Sequence, residues 1–194
     1  YRSGDGKTAL IDPVGAAVTR QFRENLESAL AGRPLDYLVV NHMEPDHCAA
    51  LGEVCRRWPG VRIVGNKKTF PMIRQFHHAD LSANFHEVAE GDELALGNRT
   101  LRFVMAALVH WPEVMVPVET GGNILFSADA FGTYGGYGGN LFSDETDYEN
   151  LYLDEARRYY TNIVGKYGQQ VLAAMGKLGG NVPELICSLH GPVL

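Results

Sequence analysis

Six consecutive residues, His42-Met43-Glu44-Pro45-Asp46-His47, carry four side chains that ligate metals, and they follow directly on the apolar run Leu38-Val39-Val40. Grouping imidazoles and carboxylates so densely at the end of a buried strand carries a desolvation and charge penalty unless a cation compensates it. The chain must therefore fold so that further ligands reach this loop. Three residues stand in matching settings: His110 after Phe103 to Val109, Asp129 after Ile124 to Ser127, and His190 after Leu185 to Ser188. Each is expected to cap the carboxyl end of a buried strand, so that one edge of the fold collects all seven.

The rest of the chain reads as layers. Thr8 to Asp12 is a strand. Val18, Phe22, Leu26 and Leu30 recur every four residues and predict a helix closed by Gly32 and Pro34. Leu35 to Val40 is a buried strand; Leu51, Val54, Cys55 and Trp58 mark a helix; Val61 to Val64 is a strand; Phe70, Ile73 and Phe76 mark a short helix. From Leu94 the period changes to two. Leu94 and Leu96 pair through Gly97-Asn98 with Leu101, Phe103 and Met105, and strands at Met115 to Val118 and Ile124 to Ser127 are joined by Gly121-Gly122-Asn123. Helices at Leu153 to Val164 and Val171 to Leu178 precede a last strand, Leu185 to Ser188. Helical pairs on either side of a hairpin-built middle predict an α/β fold of two packed sheets with helices outside, and fit a doubly wound parallel sheet less well.

With 194 residues the chain is long enough for one sizeable core, and it is read as a single domain over residues 1–194, trimmed at its start, where Ser3 to Lys7 reads as a hairpin turn lacking most of its first strand. A formal net charge of −6, with no dense basic surface, argues against a nucleic-acid partner. Three cysteines without a C-x-x-C spacing point to a reducing compartment, with cytoplasm as the default, and no run approaches the ~20 apolar residues of a membrane span.

The spacing within the cluster suggests two metal sites. In an extended or loop segment His42, Glu44 and Asp46 face one side and His47 the other, so His42 and Glu44 can serve one ion, Asp46 and His47 a second. Asp129 is the natural bridge, because a carboxylate has one oxygen for each metal, with His110 completing the first ion and His190 the second. Any one of these residues alone reads more simply as a helix cap or surface polar group; together they do not. Four histidines with three carboxylates form a mixed nitrogen and oxygen set that suits iron, without excluding zinc or manganese.

These motifs carry a resemblance. His42-Met43-Glu44-Pro45-Asp46-His47, His110-Trp111-Pro112-Glu113, Phe126 to Gly132 and Leu189-His190-Gly191-Pro192 resemble the metallo-β-lactamase-like domain of flavodiiron proteins, also called A-type flavoproteins, over essentially the whole chain. The wider superfamily has histidine at the second cluster position, where Glu44 stands here as in the flavodiiron branch. The resemblance implies a metallo-β-lactamase-like αββα sandwich, a centre of two Fe ions, and an oxidoreductase that reduces dioxygen to water or nitric oxide to nitrous oxide. It also implies a homodimer supplied with electrons by a flavodoxin-like domain, whose FMN this chain has no residues to hold, or by a rubredoxin-type donor. A flavodoxin-less oxygen sensor and a dizinc hydrolase are the alternatives; Glu44 speaks against the second.

Two aromatic residues are weighed beside the ligands. Trp111 either walls the metal pocket, or a docked flavin, or simply packs under the strand end. Tyr134, in the glycine- and tyrosine-rich loop from Gly132 to Asn140, either donates a proton over the site or is a surface tyrosine. His77, His78 and His86 read as ordinary surface or helix-end histidines, and Cys48 as small packing.

Overall fold

The computed structural model describes residues 6–180 and 182–194, so most of the expected Ser3 to Lys7 turn lies outside the described residues. Two compact units divide the chain, one ending at Leu101 and the other Arg102–Leu194.

The first unit is built on a four-stranded parallel sheet in the order β1 (Ala9–Ile11), β2 (Tyr37–Val39), β3 (Arg62–Gly65), β4 (Phe85–Glu87). Parallel strands need crossovers, and α1 (Thr19–Leu30), α2 (Pro45–Cys48), α3 (Leu51–Arg57) and α4 (Thr69–His77) lie between them. Leu38, Val39, Ile63 and Val64 are fully buried, as expected of strands covered on both faces. The helix α1 ends where expected, but through Ala31 in the left-handed region at φ 49° rather than through Gly32 itself. Its apolar stripe is looser than the four-residue spacing suggests: Val18 stands in a 3-10 turn before the helix and is exposed, and only Leu30 is buried. On α3 the expected face, Leu51, Val54 and Cys55, is buried, whereas on α4 Phe70 and Ile73 are buried and Phe76 is exposed.

Strand β4 has no counterpart in the sequence reading. Its three residues are half-buried or exposed and show neither alternation nor an apolar run; what holds it is pairing of Phe85, His86 and Glu87 with β3, and Phe85 stacked on Phe70 at 4.1 Å.

The hairpin of β5 (Glu93–Ala95) and β6 (Thr100–Met105) turns at Gly97, φ 106°, where Leu96 donates its N–H to Arg99. In the second unit β7 (Met115–Glu119) and β8 (Ile124–Ala128) are antiparallel, and β9 (Leu185–Ser188) adds to β8 in parallel. Between β8 and β9 come α5 (Tyr148–Leu151), α6 (Leu153–Ile163) and α7 (Gly168–Lys177). Val104, Val114, Val116 and Leu125 form this unit's core, with Ile163 of α6 and Val171 and Ala174 of α7 packed against it. No described helix is long and apolar enough to cross a membrane.

All five residues of β7 are buried, including Glu119, whose carboxylate accepts the N–H groups of Gly121 and Gly122 at 2.8 and 2.7 Å and so closes the turn into β8. Glu119→Ala strands those two donors and is expected to lower stability by ~2–3 kcal/mol, read from the denaturant midpoint. An unshifted midpoint would show that the turn holds without its carboxylate.

Candidate metal centre

In the first unit the ligand loop begins where β2 runs out. Val40 still donates to the Val64 carbonyl at 2.9 Å, but the next two N–H groups, of Asn41 and His42, turn to the carboxylate of Asp12 at 2.7 and 3.3 Å. Asp12 is buried, and burial pushes its carboxyl up to about 7 against the lowering effect of those donors and of His47. His42 is wholly buried, and its Nε2 lies 3.3 Å from Oε2 of Glu44.

Pro45 then occupies the first helical position of α2, a place its fixed φ suits, and the Glu44 carbonyl accepts the N–H groups of His47 and Cys48. This one-turn helix corrects the extended reading of the cluster. Asp46 is not the third member of an alternating row; it is helical, with its Oδ2 at 3.3 Å from Nε2 of His47. His42 stands beside Glu44 and His47 beside Asp46, each at 3.3 Å, and the His42 and His47 rings lie 5.8 Å apart. The Cys48 thiol is buried and donates to the Met43 carbonyl, a packing role.

The other three sequence-predicted residues, His110, Asp129 and His190, lie in the second unit. His110 does not follow directly on a strand, as its apolar run suggested: β6 ends at Met105, and His110 stands inside a tight loop. Val109 donates to Ala106, Leu108 to Trp111 and Val114 to Trp111, which fold the loop back into β7. Asp129 follows β8 and is 1% exposed. The Ser127 hydroxyl and the Gly132 N–H tie its loop down through the Ala130 and Asp129 carbonyls. His190 follows β9, its carbonyl accepting from the Ser188 hydroxyl at 2.7 Å and the Thr133 N–H at 3.3 Å.

Asp129 lies between two of these histidines. Oδ2 lies 2.9 Å from Nε2 of His110, and Oδ1 lies 3.7 Å from Nε2 of His190, so the two oxygens serve different histidines. Imidazole nitrogens and carboxylate oxygens aimed at each other at these separations, in a mostly buried setting, form a donor set that fits a divalent first-row metal.

Trp111 has two kinds of neighbour. Its ring meets His110 edge-on at 6.3 Å, and it packs on the core of the second unit. Tyr134 lies one ring removed from His190: it contacts Tyr159 at 5.0 Å, under the Arg158 guanidinium at 4.4 Å, and Tyr159 in turn lies 5.5 Å from His190. Tyr159 is the neighbour that the sequence reading missed. Its one signal is the spacing Tyr152, Tyr159, Ile163, which puts it on the inward face of α6. Gly132 makes room for it, since a Cβ there would sit 2.7 Å from the Tyr159 ring. His77 and His78 end α4 and His86 lies in β4, apart from these groups; burial lowers the pKa of His77.

Gly191 places His190. It has φ 84°, and a Cβ there would fall on Thr133 Cγ2 and lie 3.2 Å from the Thr133 nitrogen. Gly191→Ala is expected to lower stability by ~1–2 kcal/mol from backbone strain alone and to weaken metal retention through His190. Calorimetry and metal analysis of the same sample check both; an unchanged melting temperature with full metal content would refute the placement.

Comparison with known proteins places the chain. The pattern of the family described as ODP family beta lactamase matches residues 2–191. The anaerobic nitric oxide reductase flavorubredoxin of Aeromonas hydrophila is 37% identical over 197 residues, covering 100% of this chain and 39% of that protein. Among solved structures, rubredoxin:oxygen oxidoreductase from Desulfovibrio gigas matches with TM-score 0.90 and 32% identity over 97% of this chain and 47% of its own. The flavodiiron protein from Giardia intestinalis matches with TM-score 0.88 and 25% identity over 95% of this chain and 44% of its own. The chain thus spans less than half the length of these relatives, and its α/β fold is the metallo-β-lactamase-like αββα class that the motifs imply.

Proposed function

Because this chain belongs to the ODP family of β-lactamase-like proteins, we propose that it is the metal domain of a flavodiiron-type oxidoreductase that reduces dioxygen, nitric oxide or both. In this reading residues 1–194 form one functional domain. His42, Glu44 and His110 would hold one iron and Asp46, His47 and His190 the second, with Asp129 the carboxylate shared by both. Electrons come from an FMN-bearing flavodoxin-like domain or a rubredoxin-type donor, and the working assembly is a homodimer in the cytoplasm. The names of the Aeromonas and Desulfovibrio relatives support this chemistry.

The observation that carries the reading is Glu44 beside His42 at 3.3 Å. A carboxylate there hardens the donor set and brings the ligand charge to −3, from Glu44, Asp46 and Asp129, close to balancing two ferrous ions. Two irons, when bound, supply Lewis acidity and reducing equivalents to a diatomic ligand. The chain's own part is to hold the donors still and to control access. His42 is closed off from solvent, while the side chains of Glu44, Asp46 and His190 remain about a third to a half exposed, at 34%, 49% and 35%, and so leave a way in for a small molecule and for protons. Trp111 shields His110, and Tyr134 supports Tyr159 against His190.

The test is metal content and identity after anaerobic purification from iron-supplemented cells, followed by turnover with dioxygen and nitric oxide using a reduced donor. About two irons per chain are expected, as the seven donors imply. Glu44→His is expected to shift occupancy toward zinc and to abolish diatomic reduction. Two zincs that persist through iron reconstitution, or an unchanged rate in Glu44→His, would overturn the reading in favour of a hydrolase.

A further inference from the structure

We propose that the apolar cavity between α6, α7 and the sheet of the second unit is a binding site for small apolar gas molecules, and that dioxygen or nitric oxide passes through it on the way to Asp129. The inference rests on the reading of Asp129 as the shared metal ligand. Every residue that carries it belongs to the second unit.

The cavity is there because small side chains stand where two helices meet a sheet. It is lined by Val116 of β7 and Leu125 of β8, by Ala156 of α6 and Val164 at the end of that helix, and by Val171 and Ala174 of α7. Interiors normally close to the density of organic crystals, but methyl groups at positions 156 and 174 do not fill the space, and about 460 Å³ stays open. An apolar cavity of ~150 Å³ remains dry and takes up xenon, so there is ample room here for a diatomic molecule. The cavity meets solvent beside Tyr160 and Met175, which line it and are both exposed.

The walls select by polarity. Among the described residues that line the cavity, only Asp129 and Arg157 have charged side chains, and the Arg157 guanidinium is engaged by Asp154 at 2.8 Å on the exposed face of α6. The hydroxyls of Ser127 and Thr161 donate to the carbonyls of Ala130 and Arg157, at 2.6 and 2.8 Å, so their protons are not offered to a water inside. A buried water needs about two to four polar partners, whereas dioxygen and nitric oxide need none and gain by leaving bulk water for apolar surroundings.

Two lining residues carry the cavity to the expected ligands. Asp129 itself lines it, with Oδ2 at 2.9 Å from His110, and Tyr159 lines it with its ring 5.5 Å from His190. His190 is partly exposed and keeps a polar approach open, so that protons and anions have one way in and apolar gas another.

Crystals of the chain pressurised with xenon, read through the anomalous signal, test occupancy whatever metal the chain holds. Xenon is expected between Val116, Leu125 and Ala174, and Ala174→Phe, which sets a ring in that space, is expected to abolish it. Ala173→Phe puts the same ring on the exposed neighbouring position of α7 and should leave xenon in place. In reduced, iron-loaded chain, stopped-flow oxidation by dioxygen should slow about tenfold in Ala174→Phe and stay within about twofold in Ala173→Phe. Azide, an anion that apolar walls exclude, should bind the oxidised iron at the parental rate in both.

A parent cavity without xenon, or one filled by ordered water or by an alkyl chain, overturns the proposal. So does a parental dioxygen rate in Ala174→Phe, and so does equal slowing of dioxygen and azide, which would mean that the ring disturbs the metal centre itself. If Ala174→Phe does not fold, Ala156→Leu takes its place in the same comparison. A parent chain that binds zinc alone would defeat the diiron reading, and the xenon result would still decide whether the cavity takes up apolar gas.

Discussion

On the proposed diiron reading, Asp129→Ala is expected to strip the chain of both irons and to abolish diatomic reduction. Its two carboxylate oxygens lie toward different histidines: Oδ2 at 2.9 Å from His110 and Oδ1 at 3.7 Å from His190. Removing the carboxylate takes a donor from each metal at once and leaves two histidines facing an apolar methyl. Because changes behind the ligands already weaken metal retention by ~10–100-fold, loss of the bridge itself should exceed ~100-fold. Asp129→Asn divides the effect. The amide keeps one acceptor oxygen and replaces the other by an N–H donor, so it can serve one position and repels a cation at the second. Iron analysis should therefore give near none for alanine and about one per chain for asparagine, with Mössbauer spectroscopy reporting a mononuclear site in the latter. Two irons and parental turnover in Asp129→Ala would remove Asp129 from the centre altogether.

Tyr159→Ala is expected to have the largest effect on stability. The ring is 4% exposed and is held between Tyr134 and His190, directly over Gly132, where there is no room for even a Cβ. Deleting a buried aromatic side chain leaves a cavity and costs about 3–5 kcal/mol. Here the loss also removes a ring packed against the His190 imidazole, which the backbone ties through Ser188 and Thr133 do not hold. Tyr159→Phe keeps the ring and should stay within ~1.5 kcal/mol of the parent. Urea midpoints for the three chains, measured with and without iron, separate the two roles. A parental midpoint in Tyr159→Ala would mean that α6 is not seated through this ring. A lowered midpoint with undisturbed iron spectra would confine Tyr159 to packing.

Much of the arrangement was legible because its signals are local. Leu185 to Ser188 is a strand with the bounds its apolar run indicates, Gly97 and Gly121-Gly122 make the turns where they stand, and the buried faces of β2, β3 and α3 follow from unbroken or i, i+3, i+4 apolar spacing. The readings that failed share a cause. Val18 and Phe76 fit a helical period yet are exposed, because periodicity says which residues could share a face and not what covers that face. Strand β4 exists through its pairing with β3, a partner more than twenty residues back, and shows no pattern of its own. The apolar run before His110 was read as strand to its end, whereas the chain leaves β6 at Met105 and buries Val109 in a loop instead.

The same division runs through the metal residues. Which side chains are candidate ligands is legible in the sequence, since imidazoles and carboxylates gathered at strand ends have few other uses, and Glu44 in the second cluster position gives a mixed donor set that suits iron without excluding zinc or manganese. How those side chains are held is not. Asp12 lies thirty residues before His42 and reaches it only because β1 and β2 are parallel neighbours; Tyr159 meets His190 only because α6 lies along the second unit's core. Ligand identity is a property of single residues and survives in a one-dimensional string. Position to within a few tenths of an ångström depends on hydrogen bonds and ring contacts between residues far apart in the chain, and these come into being only when the sheets and helices have assembled.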